Sequence, residues 1–178
     1  MKLAFVYAGQ GSQKVGMGRD FYDRYPEYRA VLDNAGLDFD LKALTFEGPI
    51  EELSQTRYTQ PCMAAFAVGV TDLLYARGIR PCAAAGLSLG EYSALYAAGV
   101  LDRETVLKTL AFRGRAMEQA AGCGVTLLAT AHGGSLEDLR RRPLYRELLE
   151  AGIFQAFVFL TRQGGKRHYQ VWTGGEAP

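Results

Sequence analysis

The residues most suited to chemistry are Gly86-Leu87-Ser88-Leu89-Gly90, a Gly-x-Ser-x-Gly run at the end of the apolar segment Ala83-Ala84-Ala85. A helical pattern, Leu89 to Ala98, follows it directly. That order is a nucleophile elbow: a serine on a sharp strand-to-helix turn, its hydroxyl projecting from the end of the sheet. Glycines two before and two after Ser88 let backbone segments pass where a Cβ would clash. The N–H of Leu89, at the start of the helix, then points to where an acyl oxyanion would form.

A second chemical signal lies on the helix expected from its N-cap, Asp102, to about Ala120. Val106, Leu110, Arg113 and Met117 share one stripe at i, i+4, i+7 and i+11, so Arg113 falls on the face that packs inward. A guanidinium taken from water requires an anionic partner. Two partners fit: an acidic side chain in a structural ion pair, or a substrate carboxylate held bidentately.

The elements that must position these groups alternate. Lys2 to Tyr7 reads as a first buried strand and leads into the glycine-rich loop Gly9-Gln10-Gly11-Ser12-Gln13. Short helices are expected over about 17–34 and 50–54. A longer helix opens near Thr59 with Pro61 in its first turn, and Gly78 stops it, with Pro81 just beyond. The strand into Ser88, the elbow helix with Gly99 as its stop, and the Asp102 helix complete an α/β pattern, a parallel sheet flanked by helices. Beyond Gly122 the character changes. Gly124 to Ala131 reads as a strand, Ser135-Leu136-Glu137-Asp138 as a capped helix start, and Leu144 to Ala151 as helical. Phe154 to Leu160 and His168 to Trp172 read as a hairpin around Gln163-Gly164-Gly165-Lys166. One core domain over 1–122 and an atypical tail over 123–178, a helix plus hairpin, are therefore expected.

Composition bounds the partners. The 178 residues are 48% hydrophobic with a formal charge of +1, which suggests neither a nucleic-acid nor a membrane-surface partner. Arg140-Arg141-Arg142 reads as a solvated helix end. The three cysteines, Cys62, Cys82 and Cys123, form no Cys-x-x-Cys pair and read as reduced thiols of a cytoplasmic protein, with no metal site. No apolar run approaches the ~18 residues of a membrane helix.

Three signatures in order, Gly9-Gln10-Gly11-Ser12-Gln13, Gly86-Leu87-Ser88-Leu89-Gly90-Glu91-Tyr92-Ser93-Ala94 and Arg113-Gly114-Arg115-Ala116-Met117, closely resemble the malonyl-CoA:acyl carrier protein transacylases and the related acyltransferase domains of polyketide synthases. Gly48-Pro49-Ile50-Glu51-Glu52-Leu53 and Thr56-Arg57-Tyr58-Thr59-Gln60-Pro61 resemble the same family, and the likeness runs from about residue 2 to about residue 121. The resemblance implies an α/β-hydrolase-like acyltransferase core, truncated and without the family's ferredoxin-like small lobe. It implies Ser88 as the nucleophile, Gln10 and Leu89 as oxyanion-hole donors, and Arg113 as the holder of the malonyl carboxylate. Malonyl-CoA and an acyl carrier protein are the implied substrate and partner, and no cofactor is implied. Leu87 stands where the family commonly has His, a change expected to be tolerated. The family's activating histidine stands in a Ser-His motif. His132 and His168 do not, so neither receives that role and the general base is unassigned; Asn34 is too far upstream to orient one. Two other readings of the residues are an α/β-hydrolase esterase or thioesterase, which shares Gly-x-Ser-x-Gly, and a non-catalytic remnant.

Overall fold

A computed structural model describes residues 2–122, 135–141, 146, 149 and 156–173. The chain divides into two compact units, Met1–Glu118 and Gln119–Pro178.

The first unit begins with β1 (Ala4–Tyr7) and returns to pair with it only at β2 (Ala83–Gly86). The two strands are parallel, in the register Ala4 with Ala83 through Tyr7 with Gly86. Five helices separate them: α1 (Arg19–Arg24), α2 (Pro26–Asp33), α3 (Leu41–Glu47), α4 (Ile50–Leu53) and α5 (Thr56–Ala76). The short helical segments expected over 17–34 are two helices, parted at Tyr25 (φ −124°, ψ 115°). Pro26 is the cause, because its ring disfavours helical geometry in the preceding residue. Helix α3 was not foreseen; Asp40 caps it by accepting from the Ala43 N–H at 3.0 Å.

The core lies on α5. Its residues Cys62, Ala64, Ala65 and Val68 are buried with Tyr28 and Val31 of α2, and with Leu53 of α4. Gly69 lets α2 and α5 meet, since a Cβ there would lie 2.6 Å from a carbon of the Tyr28 ring. The helix opens three residues earlier than expected, which places Pro61 in its second turn, where a missing N–H forfeits one backbone bond. Its end is as expected. Gly78 (φ +71°) follows the last turn, its N–H bonds to the Tyr75 carbonyl, and the Ile79 N–H reaches back to the Leu74 carbonyl. Burial pushes the Cys62 thiol up to about 12, so it is a packing group and not a nucleophile.

The sheet departs from expectation in one respect. Both strands bury only alternate residues: Phe5 and Tyr7 face α5, where the Tyr7 hydroxyl meets Thr71 Oγ1 at 2.8 Å, while Val6 is 81% exposed. The first strand is thus half-bare among the described residues, and not buried.

After the elbow come α6 (Gly90–Ala97) and α7 (Arg103–Gly122). Asp102 caps α7 as expected, accepting from the Thr105 N–H at 2.7 Å. That hydrogen bond holds the carboxyl below its ordinary range. A carboxylate lowered in the folded state adds stability above the unfolded value, and that stability is lost as pH falls through the lowered one. Thermal melts between neutral pH and pH ~3 are therefore expected to show a steeper acid loss for the parent than for Asp102→Asn. Parallel curves would remove this carboxylate from the acid response.

In the second unit, α8 (Leu136–Arg140) is capped by Ser135, whose hydroxyl accepts from the Asp138 N–H at 3.1 Å. Strands β3 (Ala156–Gln163) and β4 (Lys166–Thr173) form the expected antiparallel hairpin, longer at the turn than its apolar runs suggested. Gly164 and Gly165 make the turn with φ +56° and +80°, a conformation costly for other residues. The strand expected at Gly124–Ala131 and most of the Leu144–Ala151 helix lie outside the described residues, as do Cys123 and His132.

Candidate active site

Ser88 sits between β2 and α6 with φ +53°, the sole non-glycine residue at positive φ among the described residues, and it is exposed. Backbone strain at a non-glycine residue in this region is costly and is held by its surroundings. Here the surroundings are glycines. A Cβ on Gly86 would lie 2.0 Å from the Gly90 carbonyl carbon, and one on Gly90 would lie 2.5 Å from the Tyr7 carbonyl oxygen. The strand end, the first turn of α6 and the end of β1 are thus in backbone contact around the serine. Gly86→Ala has no flexible side chain to push aside, so it is expected to cost at least the ~1–3 kcal/mol of overpacking and to lower the Tm by several degrees. Leu87→His, at an exposed neighbour, is expected to stay within ~0.5 kcal/mol. Equal melting temperatures for Gly86→Ala and the parent would contradict this account of the elbow.

The glycine-rich loop passes beside the elbow: a Cβ on Gly9 would meet the Leu87 carbonyl oxygen at 2.9 Å. The loop is tied in place by side chains. Gln10 Nε2 donates to Thr56 Oγ1 at 3.3 Å, Gln13 Nε2 to Ser54 Oγ at 3.3 Å, and the Gly11 N–H to Gln13 Oε1 at 2.8 Å. Leu89 is 1% exposed, so its side chain anchors the turn while its backbone opens α6. The N–H groups of Gln10 and Leu89 have no hydrogen-bond partner among the described residues.

Arg113 reaches this serine from α7. Its Nη2 is 3.4 Å from Ser88 Oγ, and its Nη1 donates to Gln60 Oε1 at 3.0 Å. The inward stripe behaves as expected for Val106 and Leu110, both fully buried. Arg113 itself is half-buried, because the stripe leaves the core at this point and Met117 is already 39% exposed. No carboxylate pairs with the guanidinium among the described residues, where its partners are Gln60 and Ser88. Close approach of α7 to the start of α5 depends on Gly114, where a Cβ would lie 2.6 Å from the Arg57 Cα.

Sequence reasoning overlooked Gln60. It is 1% exposed, accepts from Arg113 with its oxygen and directs its nitrogen to Met117 Sδ at 3.7 Å. A buried amide in an otherwise apolar helix segment was the available signal, because such a group must find partners. His168 stands exposed on β4, in the second unit, opposite Thr161. Among the described residues no group of three or more metal-ligating side chains is close enough to hold an ion, and no helix is long and apolar enough to cross a membrane.

Residues 4–143 match the family model described as an acyl transferase domain. The chain belongs to that family. The match continues beyond residue 121, where the motif resemblance ended. Among similar proteins is the malonyl CoA-acyl carrier protein transacylase of Bacillus subtilis (strain 168), 39% identical over 142 residues, which are 79% of this chain and 45% of that protein. A crystal structure of the transacylase from Streptococcus pneumoniae superposes with a TM-score of 0.64 at 50% identity, covering 67% of this chain and 39% of that one. A malonyl-transacylase in complex with its type II PKS acyl-carrier protein superposes equally well, with a TM-score of 0.64 at 39% identity, over 67% of this chain and 40% of that one. This acyl transferase chain thus spans under half the length of these relatives. Within that span lie the elbow, the glycine-rich loop and the α7 arginine.

Proposed function

We propose that this chain carries the nucleophile and acyl-selecting part of an acyltransferase that moves a malonyl group from malonyl-CoA to the phosphopantetheine thiol of an acyl carrier protein, in the cytoplasm and in fatty acid biosynthesis. The observation that carries the reading is the guanidinium of Arg113, without a carboxylate partner among the described residues and 3.4 Å from the hydroxyl of a strained elbow serine. In this reading residues 1–122 supply the core and 123–178 a tail.

The chemistry follows from the arrangement. Ser88 Oγ attacks the thioester carbonyl, and the charge that develops on the carbonyl oxygen is met by the N–H groups of Gln10 and Leu89. The C–S bond breaks, coenzyme A leaves as its thiol, and malonyl remains as an ester on Ser88. The carrier's thiol then attacks that ester, and Oγ recovers a proton as it leaves. Malonyl differs from acetyl by its free carboxylate, and Arg113 is placed to bind it through charge-assisted hydrogen bonds. Gln60, buried beside it, holds the fork in position. The proton acceptor for Ser88 is not assigned to any residue.

Product analysis tests transfer against hydrolysis. Incubation with malonyl-CoA and holo acyl carrier protein is expected to yield malonylated carrier. Free malonate as the main product would instead support a thioesterase.

A further inference from the structure

We propose that Asp72 is a positioning residue for acyl selectivity: one carboxylate holds α6 and α7 together and so sets where Arg113 meets an acyl group on Ser88. The inference rests on the reading of Arg113 as the holder of that group's carboxylate. Asp72 lies on α5, and its side chain is 14% exposed. Its Oδ1 accepts from the Tyr96 hydroxyl of α6, and its Oδ2 accepts from Arg103 Nη2 of α7 at 2.5 Å. Burial raises the Tyr96 phenol above its ordinary range, so it stays protonated and donates. The last turn of α6 is fastened to α5 a second time, where the Tyr75 hydroxyl donates to the Ala97 carbonyl at 2.5 Å.

The site draws on two helices that are anchored differently. Ser88 and the start of α6 are held locally, by the backbone contacts at Gly86 and Gly90 that join the elbow to β1. Arg113 is on α7, whose buried face is Val106, Leu107, Leu110 and Ala111. Apolar burial is non-directional; it turns that face inward but holds the helix weakly along its axis. The Asp102 cap does not help, because it bonds within α7 itself.

Two sets of directional ties join α7 to α5: Arg103 with Asp72, and Arg113 and Met117 with Gln60. Position 72 meets 103 and position 60 meets 113, so the helices run antiparallel with a tie near each end, about 15–18 Å apart along their axes. A helix transmits a shift at one end to the other as a rigid element. The Asp72 tie therefore fixes the register in which the guanidinium reaches Ser88 Oγ, and a misplacement of about 1 Å at such a site costs up to roughly 100-fold. Losing it affects recognition of a carboxylate, which needs α7, more than attack by Ser88, which does not.

The test reads this alignment without acyl transfer. In the full chain carrying Ser88→Cys, the thiolate at position 88 displaces iodide from iodoacetate, an anion, or from iodoacetamide, its neutral analogue. Peptide mapping by mass spectrometry separates position 88 from the native cysteines, and the ratio of the two rates cancels the reactivity of the thiol itself. At low salt, adding Arg113→Ala is expected to lower the iodoacetate-to-iodoacetamide ratio roughly 10-fold by removing the neighbouring charge. Adding Asp72→Asn, which leaves Arg113 in place, is expected to lower it at least ~3-fold with circular dichroism unchanged. Arg103→Gln changes a side chain 37% exposed, is expected to act alike, and decides the matter if Asp72→Asn does not fold. Arg103→Lys keeps a cation for the carboxylate and is expected to retain most of the ratio. A ratio lowered by Arg113→Ala but unchanged by Asp72→Asn and Arg103→Gln overturns the positioning role and leaves the functional reading standing. A ratio that Arg113→Ala does not lower overturns the reading of Arg113, and this inference with it.

Discussion

Ser88→Ala is expected to remove all covalent loading: after incubation with malonyl-CoA, the parent gains the mass of one malonyl group and the variant gains none. The expectation rests on geometry. Ser88 is exposed at φ +53° between β2 and α6, with the Leu89 N–H, unpaired among the described residues, adjacent and the loop bearing Gln10 packed on Leu87. Removing a nucleophile from such a site typically costs at least roughly 10⁴-fold, which takes the adduct below detection. Ser88→Cys is the informative companion, since a thiol at the same bend retains a nucleophile and is expected to load at a reduced rate. An adduct persisting in Ser88→Ala places the chemistry elsewhere. A parent chain that gains no mass over hours supports the non-catalytic remnant.

Arg113→Ala is expected to abolish the preference for malonyl over acetyl. The guanidinium has no competing carboxylate among the described residues, and Gln60 steadies one of its nitrogens at 3.0 Å. Losing a bidentate charge-assisted pair worth about 3 kcal/mol lowers malonyl loading by roughly 100-fold. Acetyl-CoA offers nothing for the guanidinium to bind, so acetyl loading is expected to stay within a few-fold of the parent. Arg113→Lys keeps the charge but loses the planar fork, and its selectivity is expected to fall between the two. Equal losses with both thioesters would mean that Arg113 supports the elbow through its contact with Ser88 Oγ and does not read the acyl group.

Gln60→Leu separates positioning from bulk. It retains the volume and removes both the acceptor for Arg113 Nη1 and the donor to Met117 Sδ. A rise in the malonyl KM with the acetyl KM unchanged, at an unaltered Tm, is the expected signature. A lowered Tm with both KM values unchanged would make Gln60 a packing residue.

Much of this site was legible in residue types at short range. Gly-x-Ser-x-Gly after an apolar run named the bend, because a non-glycine residue at positive φ needs small neighbours, and Gly86 and Gly90 are those neighbours. The α7 stripe named Arg113, because helical periodicity places a charge among apolar residues where it needs an explanation. The caps at Asp102 and Ser135, the Gly78 and Gly99 stops and the Gly164-Gly165 turn all depend on side chains and backbone angles within a few residues of each other. Helix α3 was a local feature left unread, although Asp40 supplies its cap.

What the chain alone determined, then, was local: a serine at a sharp bend, an inward arginine, and the three motifs that carry the family resemblance. Only the tertiary structure decided that α7 brings Arg113 to 3.4 Å from Ser88 and that Gln60 from α5 holds it. The physical reason is separation along the chain. Periodicity and turn chemistry act over a handful of residues, whereas these contacts join positions 25 to 53 residues apart and depend on how whole helices pack.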